Sequence, residues 1–174
     1  MIKTIGWHVF RFVFFVFLQA LVVNNIDVAD GWVLPFIYPF ALLMLSTESA
    51  RWLTMVLGFV IGFMLDSFTH TWGMHTSACV LVGFLQPLVL GLIAPREGYD
   101  PVMRPTVQDM GLNWYIAYAF LLMLPFHLWL GYIEVFSLDQ FLVTLGRAGA
   151  SALAAVLLMV LGQYLMFTPK AASL

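Results

Sequence analysis

Residues 57–87 read LGFVIGFMLDSFTHTWGMHTSACVLVGFLQP. Two apolar runs flank one short polar stretch, and each run continues outward, back to Arg51 on one side and forward to Ala94 on the other. The runs Arg51–Phe68 and Thr76–Ala94 are each close to the ~20 residues an α-helix needs to cross the hydrocarbon core of a bilayer. The pair predicts two successive membrane spans joined by a short loop.

The rest of the chain repeats the pattern. Further apolar runs extend from about His8 to Val23, Trp32 to Leu45, Leu112 to Ile133, and from near Leu138 to near Phe167. Of the 174 residues, 63% are hydrophobic and only 9% charged, with a mean hydropathy of +0.97. Soluble domains carry roughly 25% charge, enough to cover a surface facing water. The expected fold is therefore an all-α polytopic membrane protein of about six transmembrane helices, with residues 1–174 forming a single transmembrane domain. Six spans consume roughly 120 residues, and the remainder is too short for a soluble domain. The run Trp32–Leu45 is the weakest span. It carries Pro35 and Pro39, four apart and so on one face, which predicts a broken, kinked or partly re-entrant helix.

Charge supplies an orientation. The stretches Asn24–Gly31, Ser67–His75 and Glu134–Ser137 contain no Lys or Arg, whereas Lys3, Arg51, Arg96, Arg104 and Lys170 all fall on the other side, with Arg11 just inside the first run. Cytoplasmic loops carry the excess of basic residues, so both termini are expected in the cytoplasm and the number of crossings should be even. Dropping the short second run as a span would break this alternation. The longest loop, 95–111, is then cytoplasmic and contains Arg96, Glu97 and Arg104; its three prolines forbid a continuous helix. Lys3 precedes the first run and no small-residue cleavage site follows it, so that run is expected to be a retained signal anchor. A net charge of −2 argues against a nucleic-acid partner. Cys79, the single cysteine, lies in an apolar run and has no partner in the chain.

Polar residues inside apolar runs are the functional candidates in a membrane protein. Asp66 follows Gly62 by four residues and Gly58 by eight, so the three share one helical stripe on which small residues admit a close neighbour. The stripe is either a packing seam ending in an interfacial acid or a functional carboxylate. Arg147 lies roughly nine residues into the last run, ~13 Å at 1.5 Å per residue, beside a row of small residues, Gly146, Ala150 and Ala154. The row suggests that this side of the helix is buried in protein. Arg147 either pairs with Asp66 or reaches the interface alone. Asp66, His70 and His75 only barely offer the convergent ligands a zinc site needs, and an interfacial hydrogen-bonding cluster is the preferred reading, with no metal or cofactor expected. His127, near Pro125, is expected to satisfy a kinked backbone or a polar contact. No H-E-x-x-H, G-x-S-x-G, phosphate loop or acidic cluster is present, which disfavours an enzyme. The chain shows no internal repeat.

The stretch 57–87 resembles the signature region of the rod shape-determining MreD family, in which a glycine-rich helix ends in an Asp and a short external loop with a Gly leads into another long helix. Gly58, Gly62, Asp66 and Gly73 match those elements. LQALVVNN at Leu18–Asn25 and APRE at Ala94–Glu97 are similar to members from the Bacteroidota lineage. One departure is Trp72 before Gly73, where many members carry proline. The resemblance implies a fold similar to the substrate-binding S-components of energy-coupling-factor transporters. It also implies a non-enzymatic scaffold of the lateral peptidoglycan-synthesis machinery in the bacterial cytoplasmic membrane. Such a scaffold binds MreC, and through it MreB, RodA and a penicillin-binding transpeptidase. A competing expectation is a small-molecule or lipid-binding transport subunit with the same fold, which would need a sizeable outer pocket with convergent polar groups. A weaker third is a binder of lipid-linked wall precursors.

Overall fold

The computed structural model describes residues 2–26, 28–100, 103–136 and 140–166, with side chains from Phe10 onward. Its regular elements are all helical: α1 (Ile2–Leu21), α2 (Phe40–Leu43), α3 (Arg51–Thr69), α4 (Met74–Leu92), α5 (Val107–Met110), α6 (Leu112–Val135) and α7 (Phe141–Met166), with one 3-10 turn at Val23–Asn25. Among the described residues four helices, α3, α4, α6 and α7, are long and apolar enough to cross a membrane. The expectation of six such helices is corrected in one place above all. Residues 33–37 form neither helix nor strand, and a single helical turn, α2, follows at Phe40–Leu43.

The prolines explain this. Pro35 and Pro39 have no N–H to offer a helix, and each pushes the residue before it toward extended backbone. The segment is nevertheless deeply buried: Tyr38, Ala41, Leu42 and Leu43 are fully enclosed. It runs down the centre of the bundle. Trp32 lies beside Gly146, and Phe40 beside Gly162 on the same helix. Those two glycines are sixteen residues apart on α7, which is ~24 Å of helix.

α3 and α4 form the tightest pair. A methyl group built at Gly58 would lie 2.5 Å from the Cys79 carbonyl oxygen, and one at Gly62 would lie 2.6 Å from the His75 carbonyl oxygen. From the other side, one at Gly83 would lie 2.6 Å from the Thr54 carbonyl oxygen. The Thr54 hydroxyl donates to the Gly83 carbonyl at 2.8 Å. Backbone therefore meets backbone along the whole seam, as in membrane helix pairs joined through small residues. Gly83 was not among the sequence candidates.

The core combines Tyr115, Tyr118, Leu122 and Phe126 of α6 with Ala152, Ala155 and Met159 of α7 and with Ile61, Leu65, Ala78 and Val82 of the α3–α4 pair. Large apolar side chains also face outward, including Phe10, Phe14, Val56, Phe63, Leu153, Leu157 and Leu161. Apolar residues on both the inside and the outside are the pattern of a helix bundle in lipid. Arg51, Arg96 and Arg104 are exposed at one end, here the basic end; the loop 22–32, the α3–α4 turn and the end of α6 occupy the far end. Arg11 is buried and donates to the Ala41 carbonyl at 3.4 Å. Asp27, Asp139 and Lys170 and the side chain of Lys3 lie outside the described residues.

At the basic end, loop 95–111 folds back on the bundle. The half-buried Tyr99 donates its hydroxyl to the Leu90 carbonyl at 2.8 Å, and Trp114 Nε1 donates to the Ile93 carbonyl at 3.1 Å. Burial pushes the Tyr99 phenol above its usual range. The Thr106 side chain caps α5 by accepting from the Asp109 N–H.

The seam yields a direct contrast between glycines. Gly62→Ala forces two backbones apart and should cost ~1–3 kcal/mol. Gly91→Ala, in the same pair but with nothing within 4 Å of the added methyl, should leave stability unchanged or raised. Thermal unfolding in detergent measures both; equal melting temperatures for the two variants would contradict the seam.

Candidate functional site

The non-helical segment must find partners for backbone groups that a helix would have satisfied internally, because lipid offers none. The surrounding helices supply them with side chains. On α1, Gln19 Oε1 accepts from the Ile37 N–H at 2.7 Å, and its Nε2 donates to the Pro35 carbonyl at 3.4 Å. On α7, Ser151 Oγ accepts from the Leu34 N–H at 2.9 Å. On α6, His127 Nε2 accepts from the Phe36 N–H at 3.5 Å. His127 Nδ1 lies 2.8 Å from the Met123 carbonyl, which can only accept, so Nδ1 carries the proton and Nε2 is free to accept.

Deeper in the bundle the same logic serves the carbonyls of α2. Gln86 Nε2 of α4 donates to the Leu42 carbonyl at 3.2 Å, and the Tyr118 hydroxyl of α6 donates to that of Leu43 at 3.1 Å. Gln86 and Tyr118 are also bonded to each other at 2.9 Å. The Tyr38 hydroxyl is paired with His75 Nδ1 at 2.9 Å. With Arg11 donating to the Ala41 carbonyl, the result is a hydrogen-bonded spine at the bundle centre in which Arg11 is the one charged member among the side chains named.

Asp66 is part of a different device. Thr71 Oγ1 at 2.8 Å and the His75 N–H at 3.1 Å donate to its Oδ1; the Thr76 N–H at 2.9 Å and the Thr76 hydroxyl donate to its Oδ2. α4 begins at Met74, so the carboxylate receives the second and third N–H groups of that helix. It caps α4 from the neighbouring helix, where the positive end of the helix dipole favours an anion. Gly73, at φ +88°, makes the tight entry into α4. Arg147 is not its partner. α7 begins at Phe141, later than expected, so Arg147 stands six residues in, and its guanidinium reaches the Gly31 carbonyl at 3.2 Å in the far-end loop. The proposed Asp66–Arg147 pair is thereby corrected: each has its own neutral partners.

The small-residue row on α7 also lies elsewhere than expected. Gly146 is exposed and Ala150 and Ala154 are half-buried, while the buried stripe is Ala148, Ser151, Ala152 and Ala155. Gly58, Gly62 and Gly73 lie with Asp66 around the α3–α4 seam. In the basic-end loop Arg96 and Glu97 are exposed, and Arg104 donates its N–H to Asp109 Oδ2 at 3.1 Å. Among the described residues no three His, Cys, Asp or Glu side chains converge as metal ligands.

Apart from Arg11 at the Ala41 carbonyl, the side chains that meet the central segment are uncharged, and charge alone does not point to them. Gln19, Gln86 and Ser151 are polar interruptions within apolar runs, and that is the signal by which they stand out. A partly open cleft beside His127, Arg147 and Ser151 amounts to only about 40 Å³. A shallower hollow of about 280 Å³ opens at the far end between Asn24, Pro35, Thr71 and His75. Compared with protein-family models, with curated proteins and with solved structures, the chain matches none.

The cap is testable. Asp66→Ala removes the acceptor for two helix N–H groups and should destabilise by ~0.5–2 kcal/mol, with Asp66→Asn recovering part of the loss. Arg147→Gln, which gives up one carbonyl contact, should shift stability by no more than ~0.5 kcal/mol. Chemical denaturation of the three variants in detergent measures this; an Asp66→Ala protein as stable as the parent would refute the cap.

Proposed function

We propose that this chain is a non-enzymatic membrane scaffold of the lateral cell-wall machinery, and that it binds the single span of MreC through an open face of α7. The observation that carries the reading is the row Gly146, Ala150 and Ala154. Internal packing uses this row only in part: Gly146 meets the edge of Trp32, Ala150 and Ala154 are half-buried, and Gly149 beside them has nothing within 4 Å of where a side chain would begin. Leu142, Leu153 and Leu157 border the row and are exposed. Small residues flanked by leucines on a lipid-facing helix are what a second helix packs against. The resemblance of residues 57–87 to the MreD family supplies the partner. MreB, RodA and the transpeptidase then join through MreC.

The interior also favours a scaffold. A transport subunit needs a pocket of ~300–1,000 Å³ with convergent polar groups. Here the polar groups of the centre are spent on residues 33–43, and the cleft beside them is about 40 Å³. A far-end hollow of about 280 Å³ between Asn24 and His75, lined on its inner side by Leu34, Pro35 and Phe36, and an outward groove of about 490 Å³ beside Asp66 are the features that favour a transport subunit of S-component type; neither lies at the bundle centre.

In this reading the protein lies in the cytoplasmic membrane with its basic end inside. α1, at 20 residues and ~30 Å, is a fifth helical crossing, and residues 32–45 are a sixth in which the only helix is the single turn α2. The chain then crosses an even number of times, and the alternation of basic residues is kept.

Ala150→Leu and Ala154→Leu should lower co-purification of MreC by ~tenfold or more, a loss of ~1.4 kcal/mol, while the melting temperature stays within a few degrees. Undiminished capture by both variants, or no capture by the parent chain, would sink the proposal.

A further inference from the structure

The α3–α4 corner carries a second site, independent of the α7 face. A groove of about 490 Å³ opens on the outward side of α3 near the far end, lined by Phe59, Phe63, Asp66, His70, Trp72 and Thr76. The Phe59 and Phe63 rings are stacked, 6.0 Å apart and 6° from parallel, and Trp72 is 92% exposed. Every hydrogen-bond partner of Asp66 is an uncharged hydroxyl or backbone N–H. The α4 N-terminus contributes about half a positive charge, so negative potential remains in the groove. Aromatic rings beside a carboxylate attract cations.

From these features we propose that the groove binds an ammonium-headed phospholipid. The headgroup sits between Asp66 and Trp72, and an acyl chain follows Phe63 and Phe59 along α3. Three observations favour a lipid. The groove faces the outward, apolar side of α3. Its aromatic residues extend from Asp66 to Phe59, seven residues or ~10 Å toward the bundle middle. Its charged end and its apolar end are ordered as they are in a lipid. Both carboxylate oxygens of Asp66 already accept two hydrogen bonds each, which fills a carboxylate's ~four acceptor positions. The cation is therefore held by field and ring contact, not by hydrogen bonding, and a quaternary ammonium serves as well as a primary one. An anionic headgroup is repelled.

Native mass spectrometry of the detergent-purified chain, titrated separately with phosphatidylethanolamine, phosphatidylcholine and phosphatidylglycerol of matched acyl chains, tests this. The first two should bind with comparable affinity and the third at least ~tenfold more weakly. Trp72→Leu and Phe63→Leu, both exposed positions that leave the Asp66 cap intact, should each erase the preference. Phosphatidylglycerol binding as well as the zwitterionic lipids, or a preference that survives in both variants, overturns the site. So does retention of no phospholipid at all, which would leave the groove to a protein partner. Because no partner is present, failure here leaves the MreC reading standing, and failure of that reading leaves this one.

Discussion

A buried non-helical segment in a membrane bundle is possible only if other parts of the chain meet its backbone. Residues 33–37 hand three N–H groups to side chains on α1, α6 and α7, and the carbonyls of Leu42 and Leu43 turn to α4 and α6. Each such group left unmet costs ~1–3 kcal/mol, a large share of a folded protein's margin. The segment thus makes four helices depend on one another. Remove it, and the bundle has a polar-lined hole; remove the polar side chains, and the segment has no reason to stay.

The α3–α4 pair is built on the opposite principle. There the backbones touch directly through Gly58, Gly62 and Gly83, and the one charged group, Asp66, closes the turn by capping the helix that follows. Rigidity at this corner presents Trp72 and the aromatic groove to the surroundings. The α7 row, half-open and apolar, touches the start of the segment at Gly146 and turns outward at Ala150 and Ala154. The proposed lipid and protein contacts thus use outward surfaces, while the inner polar groups are spent on folding.

Much of this was legible in the sequence. The runs at α3, α4, α6 and α7 match the helices to within about three residues at each end, because long apolar stretches in lipid have no alternative to helix. The glycine stripe ending in Asp66 was visible by its spacing of four. Pro35 and Pro39 announced trouble in the second run. A broken helix was one of the outcomes they announced; which of broken, kinked or re-entrant it would be depends on whether distant side chains can replace its hydrogen bonds. Gln19, Ser151 and His127 come from three separate runs, and nothing local says that they converge. For Arg147 the error was in depth: the helix starts at Phe141, and a long side chain reached the Gly31 carbonyl without needing a carboxylate.

The central claim is that the backbone of residues 34–37 is held against the bundle by side-chain partners on α1, α6 and α7. Amide hydrogen exchange of the purified protein in detergent, read by peptide mass spectrometry, addresses it directly. The account predicts that the amides of Leu34, Phe36 and Ile37 exchange far more slowly than those of residues 22–32, and that Gln19→Leu speeds exchange in this segment before any other. Exchange across 34–37 as fast as in the far-end loop, with Gln19→Leu making no difference, would contradict it.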